Sequence, residues 1–462
     1  MGSSTRKKYR YHFTNDKYVA LIVLHILIGI FINQIPNFSQ IYFVAACSYF
    51  VFNLLLAPKH KKTLWVLLGC AYIAGAEALF RMTGGGISYE FAKYFVILLM
   101  IIGTFFNGAS GKAYPYLIYL ILLVPAVIVA STNLDFGLNF RTSVAFVLTG
   151  PVCLGICAIY CYDKKISNEE LLHVVSFFGF PIIAMTTHLF LHTPSIKEVV
   201  TGTGSNFATS GGFGPNQVSS LLGLGMVSFT VRFFLKSPTL FLKIFNIILL
   251  CAVSFRALVT FSRGGVVTAV FVIMAFLWAL YFRSGYRMKQ QVVISLFILI
   301  IGGTITWWIS SDQTDGLVVN RYANTDRRGF EKENITTGRF ELFVHEIQGF
   351  VDNPFVGVGA SGMKQERLKE EGIVIASHNE LSRLLSEHGM LGLIILLLLV
   401  ISPLAFRTYR KGNVLFYAFL AFWFATINHS AMRIAAPGFI YGLALLNVRY
   451  EKRSLRRKRV IE

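Results

Sequence analysis

Long apolar runs separated by short polar connections fill almost the whole chain. A membrane-spanning helix needs about 20 mainly apolar residues. Stretches of that kind lie near residues 18–36, 40–57, 63–80, 91–107, 113–131, 144–162, 171–191, 217–235, 238–261, 264–282, 291–310, 389–406, 414–430 and 434–448. The last is short and those around 217–282 are tightly spaced, so the pattern predicts an all-α polytopic membrane protein with about 12–14 transmembrane helices. One polar island, from about Ser311 to Gly392, breaks the series. Met390 to Leu404 is apolar enough to re-enter a bilayer, so the island is a large loop tied to a span at each end.

Composition agrees. Of the 462 residues, 55% are hydrophobic and 14% charged, against about 45–50% apolar and 25% charged in soluble domains. The formal net charge of +20 does not point to nucleic acid, because the basic residues form short clusters between spans. Cytoplasmic loops are rich in Lys and Arg, so these clusters test the span map independently. Lys7, Lys8 and Arg10 put the N-terminus inside. Lys59, Lys61 and Lys62, then Lys112, Lys164 and Lys165, Lys236, Arg283, Arg287 and Lys289, and Arg407, Arg410 and Lys411 fall in alternate loops on that same side. So does the tail with Arg453, Arg456, Arg457, Lys458 and Arg459. The island falls outside, with more Asp and Glu than Lys and Arg. The first apolar run is long and no small-residue cleavage site follows it, so it reads as a start anchor. The expected division is N-terminal transmembrane helices (1–200), a transmembrane core with two outer loops (201–310), the large loop (311–388), C-terminal transmembrane helices (389–448) and a basic cytoplasmic tail (449–462).

Cys47, Cys70, Cys153, Cys157, Cys161 and Cys251 all fall within expected spans, so no disulfide framework is implied. Cys153, Cys157 and Cys161 share a helix face, either as a metal site or, more simply, as small packing groups. Asp312 and Asp315 precede no spaced set of oxygen ligands. No metal and no cofactor are expected.

The informative polar residues collect in three outside loops. One runs from Thr201 through Gly214-Pro215-Asn216-Gln217, the second holds Ser262-Arg263-Gly264-Gly265, and the third is the island. An arginine between two apolar runs is costly unless it reaches an interface or a partner. Arg263 therefore either snorkels to the headgroups or offers its planar fork of donors to phosphate oxygens, with Gly264 and Gly265 permitting close backbone approach. Ser377 and Glu380 fit a capping box, which puts His378 in the first turn of a helix leading into the next span. Its imidazole then stands over the mouth of the bundle as a proton acceptor, or is simply structural. Glu380 reads as a cap rather than a catalyst, and Glu387 with Arg383 as a pair across one helix turn. Gly357 to Gly362 fits the dinucleotide pattern without a surrounding βαβ unit, and Ser361 to Lys364 fits SxxK without its companion signatures. Both are chance matches.

The ordered set of a GPNQ loop, an outside SRGG, a loop with Thr337-Gly338-Arg339-Phe340 and Asn353-Pro354-Phe355-Val356-Gly357-Val358-Gly359, then Ser377-His378-Asn379-Glu380, resembles the O-antigen ligase and polymerase superfamily of bacterial membrane glycosyltransferases. The resemblance covers roughly residues 200 to 445. It implies a bundle like the C-type glycosyltransferases with a large, partly helical periplasmic loop. It also implies transfer of a glycan from undecaprenyl diphosphate to an acceptor hydroxyl at the periplasmic face of the inner membrane. The acceptor is lipid A core for ligases, another lipid-linked repeat for polymerases, and protein Ser or Thr in a related branch. By this resemblance Arg263 engages the diphosphate and His378 is the general base, while Gly214, Asn216 and Arg339 occupy motif positions that bind substrate. The family often carries a second arginine just before its PN motif, where this chain has Ala208-Thr209-Ser210; Arg141, Arg256 or Arg433 are candidates to replace that charge.

The chemistry is coherent on physical grounds. A lipid diphosphate leaves readily, so the enzyme needs cations for the growing negative charge and a base for the incoming hydroxyl. The rival is a lipid-linked glycan flippase or other transporter, which should show internal repeats and polar groups near the bilayer midplane. His173, His188 and His192, at the two ends of the seventh span, are its best support.

Overall fold

The computed structural model describes residues 13–134, 139–332, 338–372 and 377–450. The basic residues Lys7, Lys8 and Arg10, Thr337 of the GRF stretch, and the tail with Arg453, Arg456, Arg457, Lys458 and Arg459 lie outside the described residues. The protein is an all-α polytopic membrane protein. Eleven helical stretches among the described residues are long and apolar enough to cross a membrane.

In chain order the helices are α1 (Asn15–Gln34), α2 (Phe38–Leu56), α3 (Lys59–Met82), α4 (Phe91–Asn107), a span broken into α5 (Tyr114–Leu122) and α6 (Val124–Asn133), α7 (Asn139–Cys161) and α8 (Asn168–His192). After the single turn α9 (Ile196–Val199) come α10 (Pro215–Leu235), α11 (Leu240–Leu258), α12 (Arg263–Arg283) and α13 (Tyr286–Asp312). The island carries α14 (Leu317–Tyr322), α15 (Arg339–Asp352), α16 (Gly362–Glu371) and α17 (Glu380–His388). Then follow α18 (Met390–Tyr409), α19 (Phe416–Ser430) and α20 (Ala436–Ala444). Two short parallel strands, β1 (Lys165–Ser167) and β2 (Asn447–Arg449), tie the loop after α7 to the end of the bundle.

Every apolar stretch read from the sequence corresponds to one of these helices. The stretch at 113–131 is broken near Leu123, two residues before Pro125, whose ring and missing N–H interrupt the helical ladder. The last helix, α20, has 9 residues and spans about 14 Å at 1.5 Å per residue. That is half of a hydrocarbon core of about 30 Å. All of α20 is buried, so the 431–435 connection before it is drawn into the bundle instead of lying at the surface.

Between membrane helices the usual hydrophobic drive is absent, and close backbone approach through small residues takes its place. A Cβ at Gly75 of α3 would stand 2.7 Å from the carbonyl of Phe178 on α8, and one at Gly223 of α10 would stand 2.6 Å from that of Gly265 on α12. These contacts make α3, α8 and α10 the inner helices, while α13 turns most of its surface outward. At one end of the bundle the basic loops are cross-tied: Arg410 pairs with Asp163 at 2.7 Å, Lys164 donates to Asn107 O at 2.8 Å, and Arg283 donates to Lys411 O at 2.7 Å. The island and the loops before α4, α10 and α12 share the other end.

Two local expectations are corrected. The N-cap of α17 is Asn379, whose side chain accepts from the amides of Leu381 and Ser382, so His378 precedes the helix and Ser377 with Glu380 forms no capping box. Nor does α17 run on as the next span. The chain turns at Gly389 (φ 62), where a Cβ would press within 2.6 Å of Pro354 O.

Candidate functional site

The first two motif loops are stitched to each other. Gly214 is the N-cap of α10 and Asn216 its second residue. Asn216 Oδ1 accepts from Ser262 Oγ at 2.7 Å, and Ser219 Oγ donates to Ser262 O at 2.9 Å. The glycines after Arg263 serve this packing. A Cβ at Gly264 would lie 2.3 Å from the His429 ring, and one at Gly265 2.3 Å from the Ser219 backbone. They bring α19 and α10 against α12, rather than offering backbone to a phosphate as the sequence suggested.

Arg263 opens α12, and its Nη1 donates to Arg321 O at 3.4 Å. Arg321, on α14, donates from Nε to Phe261 O at 2.9 Å. Phe261 takes φ 57, a left-handed conformation costly for a bulky residue, and Leu317 and Val318 of α14 pack on it with Ile196 and Val259. That satellite cluster fixes Arg321 beside Arg263. Arg339 opens α15 behind Gly338, which caps the helix at φ 79. Burial first, then the charges of Arg263 and Arg339, pull the Arg321 guanidinium down to about 10. Burial and then Arg263 likewise hold Arg339 below the usual arginine range. Among the described residues no carboxylate pairs with Arg321 or Arg339. Arg263 and Arg339 also sit at helix N-termini, where the backbone already presents positive charge and unused N–H groups. The arrangement repels itself and is suited to an anion.

His378 lies on the same face of the bundle. A cavity of about 200 Å³ is lined by Arg339, Phe343, His378, Asn379 and Asn428. Arg339 is thus the link, sharing a wall with His378 while its charge senses Arg263. Arg433, on the sunken 431–435 connection, places Nη2 2.8 Å from His378 Nδ1 and 2.6 Å from Ser377 O. A guanidinium only donates, so Nδ1 accepts and the neutral ring carries its proton on Nε2. The connection is held from both sides: the Ala431 amide donates to His378 O at 3.2 Å, and the Ala435 amide donates to Glu77 Oε2 at 2.7 Å. Of the three candidates for the missing charge, Arg433 alone is placed here. Arg141 is exposed on the first turn of α7. Arg256 is fully buried and donates to Thr209 O at 2.9 Å, buttressing the Ala208–Ser210 segment from within the bundle.

Four residues escaped the sequence reading. Arg321 is one. Arg81 pairs with Glu77 and donates to Arg433 O at 3.1 Å. His429 donates from Nδ1 to Ala425 O at 2.9 Å, which leaves the Nε2 lone pair facing Ser220 Oγ at 3.1 Å. Glu346 accepts from Ser377 Oγ at 3.1 Å and Ser382 Oγ at 2.6 Å, and pairs with Arg367 at 3.5 Å. The polar run Asn428-His429-Ser430 immediately before a short apolar stretch was the available signal for His429.

At α17 the island's charges are paired within the protein. Arg383 pairs with Glu387, as expected, and also with Glu380, which is therefore an ion-pair partner rather than a cap. Burial pushes the Glu387 carboxyl up to about 7 despite that arginine. The NPFVGVG stretch docks the island: Val358 N donates to Ser386 O and Ala360 N to Ala126 O, both at 2.9 Å, and Gly357 and Gly359 hold φ of 72 and 88.

Residues 245–397 match a family model described as O-antigen ligase, a span that contains Arg263, Arg321, Arg339 and His378. No curated protein matches the chain.

Proposed function

As a member of the O-antigen ligase and polymerase superfamily, whose enzymes are glycosyltransferase-like, this multi-pass protein has a reaction class, and we propose its particular reaction. It moves a glycan from undecaprenyl diphosphate to an acceptor hydroxyl, on lipid A core or another surface glycoconjugate, at the periplasmic face of the bacterial inner membrane. The observation that carries this reading is the group Arg263, Arg321 and Arg339, two of whose members lack any carboxylate partner among the described residues. The basic loops at the opposite end support N- and C-termini on the cytoplasmic side.

The acceptor oxygen attacks the anomeric carbon, the bond from that carbon to the diphosphate breaks, and undecaprenyl diphosphate departs with the electron pair. Arg263, Arg321 and Arg339 hold the charge that develops on it; each such preorganised donor is typically worth about 10²–10³ in rate. His378 takes the hydroxyl proton. In the resting arrangement its Nδ1 is occupied by Arg433, so the arriving diphosphate draws Arg433 toward itself and frees Nδ1 as the base. Donor binding and base activation are thereby coupled. Among the described residues, the Arg263, Arg321 and Arg339 group fits one lipid diphosphate and supports ligation rather than polymerisation, which brings two together.

The test is transfer by purified protein from undecaprenyl-diphosphate-linked glycan to a hydroxyl acceptor, followed by release of undecaprenyl diphosphate. In cells lacking the protein, lipid-linked long chains should accumulate; accumulation of single repeats would make it a polymerase. Sugar flux across liposomes containing this protein alone, with no transfer, would favour the transporter.

A further inference from the structure

A second cavity, larger than the one beside His378, lies at the other end of the bundle, where the proposed chemistry leaves it unused. Its volume is about 640 Å³, and it opens between the last turns of α10 and the first turns of α1, α8, α11 and α13. Arg232 forms its floor. This residue is 17 positions beyond Pro215 on α10, so it stands about 25 Å along the helix from the GPNQ loop.

The cavity is built around cations. Arg232 is 2% exposed. Its guanidinium donates to Ser176 Oγ at 3.1 Å and Asn15 Oδ1 at 3.3 Å and stacks 3.4 Å from the Tyr18 ring centroid, while its Nε has no hydrogen-bond partner. A buried arginine nitrogen left unsatisfied is expensive, and it lies in a wall that also presents Lys243. Lys243 is half-buried and pairs with no carboxylate among the described residues. Lys236 occupies the rim, paired with Glu169, so Arg232 and Lys243 are left without a carboxylate partner among the described residues. Facing them, Met288, Gln291 and Ser295 come from the first turns of α13, and Phe234 from α10. The site therefore combines a cationic floor with a partly apolar wall at the level where spanning helices end, which is the depth of lipid headgroups.

We propose that this cavity holds the phosphate of an anionic phospholipid headgroup, with Arg232 and Lys243 as its ligands and the acyl chains leaving along the outward face of α13. Phosphate from a soluble source has the same ligand chemistry but makes no use of the apolar wall or of the depth. The proposal does not rest on the transfer reaction.

The experiment is native mass spectrometry of the full chain released from mixed phosphatidylglycerol and phosphatidylcholine vesicles, paired with thermal melts in detergent. Wild type should retain phosphatidylglycerol preferentially, and the melt should rise with that lipid but not with inorganic phosphate. Lys243→Gln should weaken retention about fivefold, the usual effect of one basic side chain near a membrane surface. Because Arg232→Gln risks misfolding, Ser295→Trp is the second variant: it fills the cavity from α13 and should abolish retention with the melt of the lipid-free protein preserved. Equal retention in wild type and both variants overturns the site. An equal rise with inorganic phosphate overturns the lipid assignment.

Discussion

Two sets of arginines in and beside the same island live in opposite surroundings. Arg383 is enclosed by Glu380 and Glu387, and those carboxylates hold its guanidinium above the usual range. Arg321 and Arg339 are also desolvated, but their charged neighbours are Arg263 and each other, and both guanidinia are held below that range. Burying charge is costly in either case. In the first set the cost is offset within the protein, which makes the set structural. In the second it is left outstanding, and an anion from outside can offset it. Charge alone does not mark a site; uncompensated charge on a face with room for a ligand does.

The comparison can be broken most severely at its closed half. Arg383→Leu strands two buried carboxylates and should cost about 3–5 kcal/mol, read as a lowered melting midpoint and loss of folded protein in detergent. At the open half the effect should appear in activity and not in folding. His378→Ala should reduce transfer about 10²–10⁴-fold, the range of a general base, with insertion and melting unchanged. Arg339→Gln should reduce transfer about 10²–10³-fold while leaving the melting midpoint equal or raised, because it removes a repulsion. A lowered midpoint for Arg339→Gln would place that residue with Arg383 as structural. The smallest effect belongs to Ser262→Ala, which deletes the hydrogen bond to Asn216 and should cost about 0.5–1.5 kcal/mol in stability, measurable as a modest shift in the melt.

The spans were legible because bilayer insertion depends on apolar length alone, a property of contiguous sequence. The break at Leu123 was also written there, in Pro125. The cap of α17 was less so. Ser377 and Asn379 are both good capping residues, and it is Asn379 that caps, while the Ser377 hydroxyl accepts from the Asn379 amide and donates to Glu346, 31 positions away. Arg263 and His378 could be picked out as polar residues in motif order. Arg321 could not, since its role depends on α14 folding back over the Phe261 turn, a juxtaposition of segments 60 positions apart. Arg433 could be named only as one of three candidates, because it resembles any arginine between two apolar runs until the shortness of α20 draws it inward.

The most direct test is anion binding by the intact protein, measured as the shift in melting midpoint on titration with undecaprenyl diphosphate. The account predicts a saturable rise in wild type, unchanged size in Ser262→Ala, and loss of the rise in Arg263→Gln and Arg339→Gln, each of which should still fold. The same rise in those two variants as in wild type would contradict it.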